Sequence, residues 1–160
     1  MGGRGASSPS GVYLRGKSKV ETIQYGSEYT SLLRVGNVKY VVWKGGKATK
    51  APQETQVDKT RKPNGRVYAT INQKTEKVQY ITFYDEHGKL YKQIDVGGNH
   101  DHLGRKSQVA DKSDIWHVHL GYEHNQNGFR ELTSGEKRVA RVIISKWRAD
   151  YVRRYKARSH

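Results

Sequence analysis

The histidines of this chain are concentrated in one stretch, GGNHDHLGRKSQVADKSDIWHVHLGYEH at residues 97–124. Five of the seven histidines lie there: His100, His102, His117, His119 and His124. Imidazole binds divalent metals and exchanges protons near neutral pH, and the His-x-His spacing occurs twice in this stretch. The pattern therefore indicates a metal centre or an acid–base pair for phosphodiester cleavage, and a polar surface without chemistry is the third alternative.

In the metal interpretation, the two His-x-His pairs bind one divalent ion. Nitrogen and oxygen ligands from two short segments suit zinc or a similar ion. The predicted ligands are His100, His102, His117, His119 and Asp95, with Asp101 or His124 as further candidates. Because the chain contains no cysteine, thiolate zinc sites, disulfides and thiol nucleophiles are excluded.

In the acid–base interpretation, two imidazoles act on RNA. One accepts the proton of the 2′-OH group and the other protonates the leaving oxygen, while nearby cations stabilise the charge on the phosphorane. The predicted catalytic residues are His117, His119 and His102, and the available cations are Arg105, Lys106 and Lys112. The chain contains no Walker loop and no GxSxG elbow, so those two catalytic signatures are missing.

The segment IWHVHLGY must position the downstream pair, and its alternation predicts a β-strand. One face of this strand is predicted to be apolar and packed, with Trp116, Val118, Leu120 and Tyr122. His117 and His119 share the other face, about 7 Å apart at Cα, and we expect them to point outward from a rigid element. The upstream pair, His100 and His102, lies in a Gly-rich loop after the strand that ends at Asp95, and this loop is expected to fold over the same face.

Upstream of the histidines, three strand-like runs are separated by short polar turns. RVYATIN, KVQYITFYD and KLYKQIDV, joined by QKTE and DEHG, predict an antiparallel meander over residues 65–96. A further strand is predicted for NVKYVVWK. The segment SEYTSLLRVG predicts a short helix that is capped by Ser27 and ends at Gly36.

The last segment, TSGEKRVARVIISKWRADYVRRYKAR, predicts a long helix that begins with a capping box of Thr133 and Glu136. Apolar residues recur at helical spacing and are expected to dock on the sheet: Val139, Val142, Ile143, Trp147, Tyr151 and Tyr155. Basic residues greatly outnumber acidic ones on this helix, which favours a nucleic-acid-facing surface over an ordinary solvated one. The predicted nucleic-acid-binding residues are Arg138, Arg141, Lys146, Arg148, Arg153, Arg154 and Lys156, together with Arg105 and Lys106.

The charge of the chain limits its partners. The formal net charge is +15 and the pI is near 10.0, so the protein is expected to bind polyanions by releasing their counterions. The N-terminal residues contain no hydrophobic run, so we expect neither a signal peptide nor membrane association.

The predicted class is α+β, an antiparallel sheet of four to six strands packed by the basic C-terminal helix. A flexible basic arm is expected over residues 1–20, followed by a single domain over residues 21–160.

Six segments spread over nearly the whole chain are MGGRGASS, YGSEYTSLL…GNVKYV, APQET, GRVYATIN, ITFYDEHGKLYKQID and HVHLGYEHN…LTSGEKRVARVI…W. Together they resemble small proteins of phages and prophages of Gram-positive bacteria, and they are similar to toxin-type tails fused to phage minor head proteins. In those relatives a D-x-x-H…P-H-x-H arrangement follows the last meander strand. The resemblance implies that Asp95, His100 or His102, His117 and His119 correspond to it, although Trp116 stands where proline often precedes the first His.

The resemblance implies a mobile-element protein in a bacterial cytoplasm or a virion. Our leading hypothesis is a phage-encoded nucleic-acid-binding protein whose His cluster is a metal or phosphodiester-cleaving site. The alternative is non-enzymatic, either an inhibitor of a host nucleic-acid-guided defence complex of the anti-CRISPR type or a minor virion or DNA-packaging component. The expected partners are RNA, DNA or a host ribonucleoprotein, and the sequence leaves the oligomeric state open.

Overall fold

The structure is a computed structural model, and it describes residues 11–14, 16–25, 28–46, 48–55, 66–97, 116–120 and 129–156. For residues 25, 129 and 154–156 it describes the backbone alone. The described residues form an α+β fold with one eight-stranded sheet and one C-terminal helix. The predicted class is therefore confirmed, and the sheet is larger than the four to six strands expected.

Eight strands are described: β1 (Lys19–Tyr25), β2 (Tyr29–Val35), β3 (Val38–Trp43), β4 (Val67–Ile71), β5 (Val78–Tyr84), β6 (Leu90–Asp95), β7 (His117–Leu120) and β8 (Phe129–Glu131). Their order in the sheet follows their order in the chain. All neighbouring strands are antiparallel except β3 and β4, which are parallel. A parallel pair needs a long crossover, and the polar segment between β3 and β4 supplies it. The predicted meander over residues 65–96 is confirmed as β4, β5 and β6.

Tyr29–Val35, within the segment SEYTSLLRVG, forms β2, so the short helix predicted there is wrong, and its predicted cap Ser27 lies outside the described residues. This strand is hydrogen-bonded on both edges, to β1 and to β3. Gly36 and Asn37 form a tight turn between β2 and β3, and the φ of Gly36 is 59°, in the region that hairpin turns require. A Cβ on Gly36 would lie 1.7 Å from the carbonyl oxygen of Tyr13. Pairing with two strands therefore overrides the local helix signal.

The N-terminal part of the sheet involves residues near the end of the predicted basic arm. Val12 is buried in the main core, and the amide of Tyr13 donates to Asn37 Oδ1 at 2.7 Å. Strand β1 begins at Lys19. Residues 1–10, the first half of the predicted arm, lie outside the described residues.

The C-terminal helix α1 (Ser134–Trp147) begins with the predicted capping box. The side chain of Thr133 accepts a hydrogen bond from the backbone of Glu136, and the Glu136 carboxylate accepts one from the backbone of Thr133. The helix continues into a π-helical segment, Arg148–Lys156. Both N-cap hydrogen bonds satisfy donors that the first turn leaves without helical partners, which fixes where the helix begins.

Helix α1 covers one face of the sheet with an apolar stripe. Its buried residues are Val139, Ala140, Ile143 and Trp147, and they pack with sheet residues that include Ile81, Phe83, Ile94 and Val118. Two hydrogen bonds fix the helix on the sheet, from Tyr40 Oη to the carbonyl of Ile143 at 2.7 Å and from Trp147 Nε1 to the carbonyl of Glu76 at 2.8 Å. We name this face of the sheet the helix face.

Three other apolar residues were predicted to dock on the sheet, and the structure agrees with this prediction for one of them. Val142 is 41 % exposed, so its predicted docking is wrong, because it lies on the solvent side of the helix next to the buried stripe. Tyr151 is half-buried against the core and stacks on Trp147 with ring centroids 4.3 Å apart. The side chain of Tyr155 lies outside the described residues.

The carboxylate of Glu136 also connects the first turn of α1 to the sheet. It accepts two hydrogen bonds from Arg130 at 2.7 and 2.8 Å and contacts Lys92 Nζ at 3.1 Å. Burial raises the pKa of Glu136, but the hydrogen bonds from Arg130, Thr133 and Lys92 outweigh this effect and lower the pKa to about 2. The ionised form of Glu136 therefore stabilises the folded state.

We predict that Glu136→Gln lowers the free energy of unfolding at pH 7 by about 2–3 kcal/mol, because the substitution leaves Lys92 and Arg130 without their anion. The folded-state pKa lies below the unfolded value of 4.5, so this contribution is complete above about pH 5 and is lost as the pH falls to about 2. Urea unfolding between pH 7 and pH 2.5 measures it. Glu86→Gln, at an exposed turn position, is the control and should change stability by less than about 0.5 kcal/mol. Equal effects of the two substitutions would contradict the prediction.

Candidate metal centre

Asp95, His117 and His119 come together on the neighbouring strands β6 and β7. Asp95 is the register partner of His117, and Gln93 is the partner of His119. Side chains two residues apart on a strand share a face, so both imidazoles and the carboxylate lie on the same side of the sheet. We name these three residues the triad.

The ligating atoms of the triad are close to one another. Asp95 Oδ2 lies 3.4 Å from His117 Nε2, and the rings of His117 and His119 meet edge to face with centroids 4.6 Å apart. One nitrogen or oxygen atom from each residue can be chosen so that all three lie within 4.8 Å of one another. Ligands of a zinc ion lie about 2.0–2.2 Å from the metal, so small side-chain rotations would bring all three atoms to one ion.

The triad lies on the face of the sheet opposite to α1. Ile94 and Val118, which are paired in the β6–β7 ladder, are both fully buried in the core under the helix. Because strand side chains alternate, the neighbouring positions Asp95, His117 and His119 must point away from the helix. The predicted sharing of one face by His117 and His119 is therefore confirmed.

The expectation that the two imidazoles point outward from the strand is wrong, because both are buried. His117 is 1 % exposed, His119 is 5 % exposed, and the side chain of Asp95 is 12 % exposed. The face opposite the helix has a second core of its own, formed by Val41, Tyr68, Tyr84 and Leu90. Alternation can tell which side chains share a face, but it cannot tell that both faces of a sheet are covered.

Segment 51–55 is hydrogen-bonded to two residues of this second core, Leu90 and Tyr84. The backbone of Leu90 donates to the carbonyl of Gln53 at 3.1 Å, and the backbone of Thr55 donates to the carbonyl of Gly88 at 2.9 Å. The hydroxyl of Tyr84 donates to the carbonyl of Pro52. A polar segment that follows β3 in the sequence thus packs beside β5 and β6.

The apolar face predicted for β7 is only partly correct. Trp116 is 6 % exposed and Val118 is fully buried, as predicted, but Leu120 is 41 % exposed. Among the described residues, the last rung between β7 and β8 is formed by His119 and Phe129, and Leu120 lies beyond it. Tyr122 lies outside the described residues.

The carboxylate of Asp95 is oriented by the chain that follows it. Its Oδ1 atom accepts a hydrogen bond from the backbone of Gly97 at 3.3 Å, which leaves Oδ2 directed at His117. A Cβ on Gly97 would lie 2.8 Å from the Cα of Gln79, so this position requires glycine for close packing against β5. Sequence reasoning missed Gly97, and its place directly after a predicted strand was the available signal.

Tyr80 is a second neighbour that the sequence did not identify. It is the register partner of Asp95 on β5 and therefore shares the face of the triad. Burial raises the pKa of Tyr80, and the negative charge of Asp95 raises it further, against a smaller opposing effect of Gln79. The phenol is thus a neutral hydrogen-bonding group at the border of the site. Finding it required the β5–β6 register.

The geometry of the triad suits metal ligation better than two-histidine acid–base chemistry. A scissile phosphodiester must lie between a general base and a general acid, but ring centroids 4.6 Å apart in direct contact leave no space for a phosphate group. Two imidazoles and one carboxylate are, by contrast, a common set of three protein ligands for a catalytic metal with a further open position. The triad could hold a divalent ion.

The other predicted site residues either lie outside the described residues or lie on the C-terminal helix and the π-helical segment that follows it. His100, Asp101, His102, Arg105, Lys106, Lys112 and His124 lie outside the described residues. For Arg154 and Lys156 only the backbone is described. The remaining predicted nucleic-acid-binding residues, Arg138, Arg141, Lys146, Arg148 and Arg153, lie on α1 and the π-helical segment, and all except the half-buried Lys146 are exposed.

Comparison with protein-family models, with curated proteins and with solved structures gives no match to this chain. Among the described residues, no helix is long and apolar enough to cross a membrane.

The difference in burial between Val118 and Leu120, which share one face of β7, predicts unequal costs for two truncations. Val118→Ala should lower the free energy of unfolding by about 2 kcal/mol, because it opens a cavity under the helix. Leu120→Ala removes more atoms but should cost less than about 0.5 kcal/mol, because this side chain is largely solvated. Chemical denaturation of both variants measures the difference. A larger cost for Leu120→Ala would contradict the burial of Val118 under the helix.

Proposed function

We propose that this protein is a nucleic-acid-binding phosphodiesterase that uses a divalent metal ion, zinc or a similar ion, held by Asp95, His117 and His119. The observation that carries the proposal is the convergence of two imidazoles and one carboxylate within 4.8 Å at a nearly buried position. Three protein ligands leave at least one coordination position for water or substrate.

Each residue of the triad has a defined part in this proposal. His119 and His117 supply nitrogen ligands from one rigid strand, and Asp95 supplies an oxygen ligand from the adjacent strand. The hydrogen bond from Gly97 to Asp95 Oδ1 holds the carboxylate so that its other oxygen faces His117. A metal bound there would lower the pKa of a bound water and polarise a phosphoryl oxygen.

The charge of the protein supports a polyanionic substrate. The chain contains 30 Lys and Arg residues against 15 Asp and Glu residues, and such a field concentrates nucleic acid near the protein. The resemblance to phage and prophage proteins fits a role on nucleic acid in a bacterial cytoplasm or a virion. The non-enzymatic alternatives, a defence inhibitor or a virion component, use the same charge but give the triad no chemistry.

We predict that the purified protein binds one zinc ion per chain and that the ion stabilises it. A ligand at 100 times its dissociation constant stabilises the folded state by about 2.7 kcal/mol, so chelation should lower the unfolding temperature by several degrees. His117→Gln and His119→Gln should abolish both the bound metal and the effect of chelation. His87→Gln, at an exposed turn position, is the matched control and should retain both. Metal analysis and thermal unfolding are the measurements, and a metal-free wild type would contradict the metal centre.

We predict that the metal-loaded protein cleaves RNA or DNA oligonucleotides and that Asp95→Asn or His119→Gln lowers kcat at least about 10²-fold, because the attacking water loses its activation. Chelation should abolish cleavage of fluorescent substrates, and added zinc should restore it. His87→Gln again provides the control. A protein that holds the metal but cuts neither RNA nor DNA retains the metal centre, loses the phosphodiesterase assignment and favours the non-enzymatic alternative.

A further inference from the structure

The outer surface of α1 contains a cavity with basic walls, on the opposite side of the sheet from the triad. The cavity measures about 730 Å³. Its described lining consists of Ser134, Lys137, Arg138, Arg141, Val142, Ser145, Lys146, Ala149 and Asp150. We name this lining the outer helix surface, and its cations are Lys137, Arg138, Arg141 and Lys146.

The distribution of charge on this surface favours a polyanion. Along α1 and the π-helical segment the two acidic residues, Glu136 and Asp150, are both buried. Glu136 is matched by Arg130 and Lys92 on the sheet side, and the charge of Asp150 acts on the buried Tyr40, whose pKa is raised mainly by burial and further by this carboxylate. Glu136 is therefore directed at the sheet, and Asp150, although it belongs to the lining, is buried, whereas the cations Arg138 and Arg141 are exposed.

The remaining lining residues also suit a nucleic acid strand. Ser134 and Ser145 provide exposed hydroxyls, which commonly donate to phosphate oxygens together with Arg and Lys side chains. Val142 is 41 % exposed and forms an apolar patch between the cations, against which a sugar or base can pack. An array of cations with hydroxyls and one apolar patch matches the alternation of phosphate and sugar in a nucleic acid backbone.

The position of this surface separates it from the triad. Val139, Ile143 and Trp147 pack on the helix face of the sheet, whereas the triad lies on the other face. One helix diameter plus the sheet separates them, roughly 15–20 Å. A phosphate bound on the outer helix surface therefore cannot be the phosphate that reaches the triad.

We propose that the outer helix surface is a second nucleic-acid-binding site that anchors a strand away from the site of cleavage. The cleavage part of this inference rests on the phosphodiesterase function proposed above, whereas the binding part does not. At about 3.4 Å per nucleotide, a strand must exceed roughly six nucleotides to contact both places. Long substrates therefore gain affinity from the helix, and very short ones do not.

The binding test compares two triple variants that remove equal charge. The helix triple is Lys137→Gln, Arg138→Gln and Lys146→Gln, and the control triple is Lys17→Gln, Lys19→Gln and Lys44→Gln, at exposed positions on or beside β1 and after β3. Binding of 30-nucleotide RNA and DNA is measured between 50 and 300 mM salt, in the Asp95→Asn background and with a chelator present, so that cleavage is suppressed.

The helix triple should weaken binding about 10²-fold near 0.1 M salt and reduce the salt slope by about 2–3, as expected when three phosphate contacts are lost. The control triple should change affinity less than about 3-fold. The comparison of RNA with DNA decides which strand the surface prefers. Equal losses in the two triples would show that the charge acts as a diffuse field, and unchanged binding of the helix triple would exclude this surface. Either result overturns the proposal.

A cleavage test separates this inference from the proposed function. With the triad intact, the helix triple should raise KM for a 30-nucleotide substrate at least about 10-fold with kcat unchanged, and should leave the cleavage of a trinucleotide unaffected. A parallel loss on the trinucleotide would mean that the surface acts on the cleavage site itself, which overturns a separate anchor. If the wild type cuts neither substrate, the phosphodiesterase proposal fails and the binding test alone decides the second site.

Discussion

The register between β6 and β7 is the constraint on which the candidate site depends. It places Asp95 opposite His117 and, in the same ladder, Ile94 opposite Val118. A slip of one residue would turn both histidines under the helix and would expose Val118, because side chains alternate along a strand. The fully buried pair of Ile94 and Val118 strongly disfavours that slip. The apolar core on the helix face therefore determines the geometry of the polar group on the opposite face.

The polar composition of the triad is difficult to explain by folding alone. Two imidazoles and a carboxylate at nearly buried positions lose hydration, and a buried ionic contact often stabilises a fold no better than apolar side chains of similar volume. Apolar side chains do fill buried positions elsewhere on this face, where Val41, Tyr68, Tyr84 and Leu90 form a second core. A functional requirement for ligating atoms gives a physical reason for the triad, and it is the reason we favour.

Sequence patterns predicted the meander, the capping box of α1 and the sharing of one face by His117 and His119. Each of these depends on residues close in sequence, through turn chemistry, helix caps or strand alternation. The patterns failed where the structure of a segment depends on strands that are distant in the sequence. Strand β2 was predicted as a helix because its two partner strands cannot be read from its own residues. The burial of His117 and the exposure of Leu120 depend on which strands and segments lie beside β7, and so does the proximity of Tyr80 to Asp95.

The packing that stabilises helix α1 also determines which side of the helix carries the proposed anchoring surface. Its apolar stripe must face the sheet to cover Ile81, Phe83 and Ile94, which fixes the rotation of the helix about its axis. The contacts of Glu136 with Arg130 and Lys92 hold the first turn in the same orientation. With that rotation fixed, the basic residues can only face solvent on the side away from the triad. A basic surface beside the triad would need cations from other segments, so the position of this helix agrees with the proposal that nucleic acid binds at two separate places.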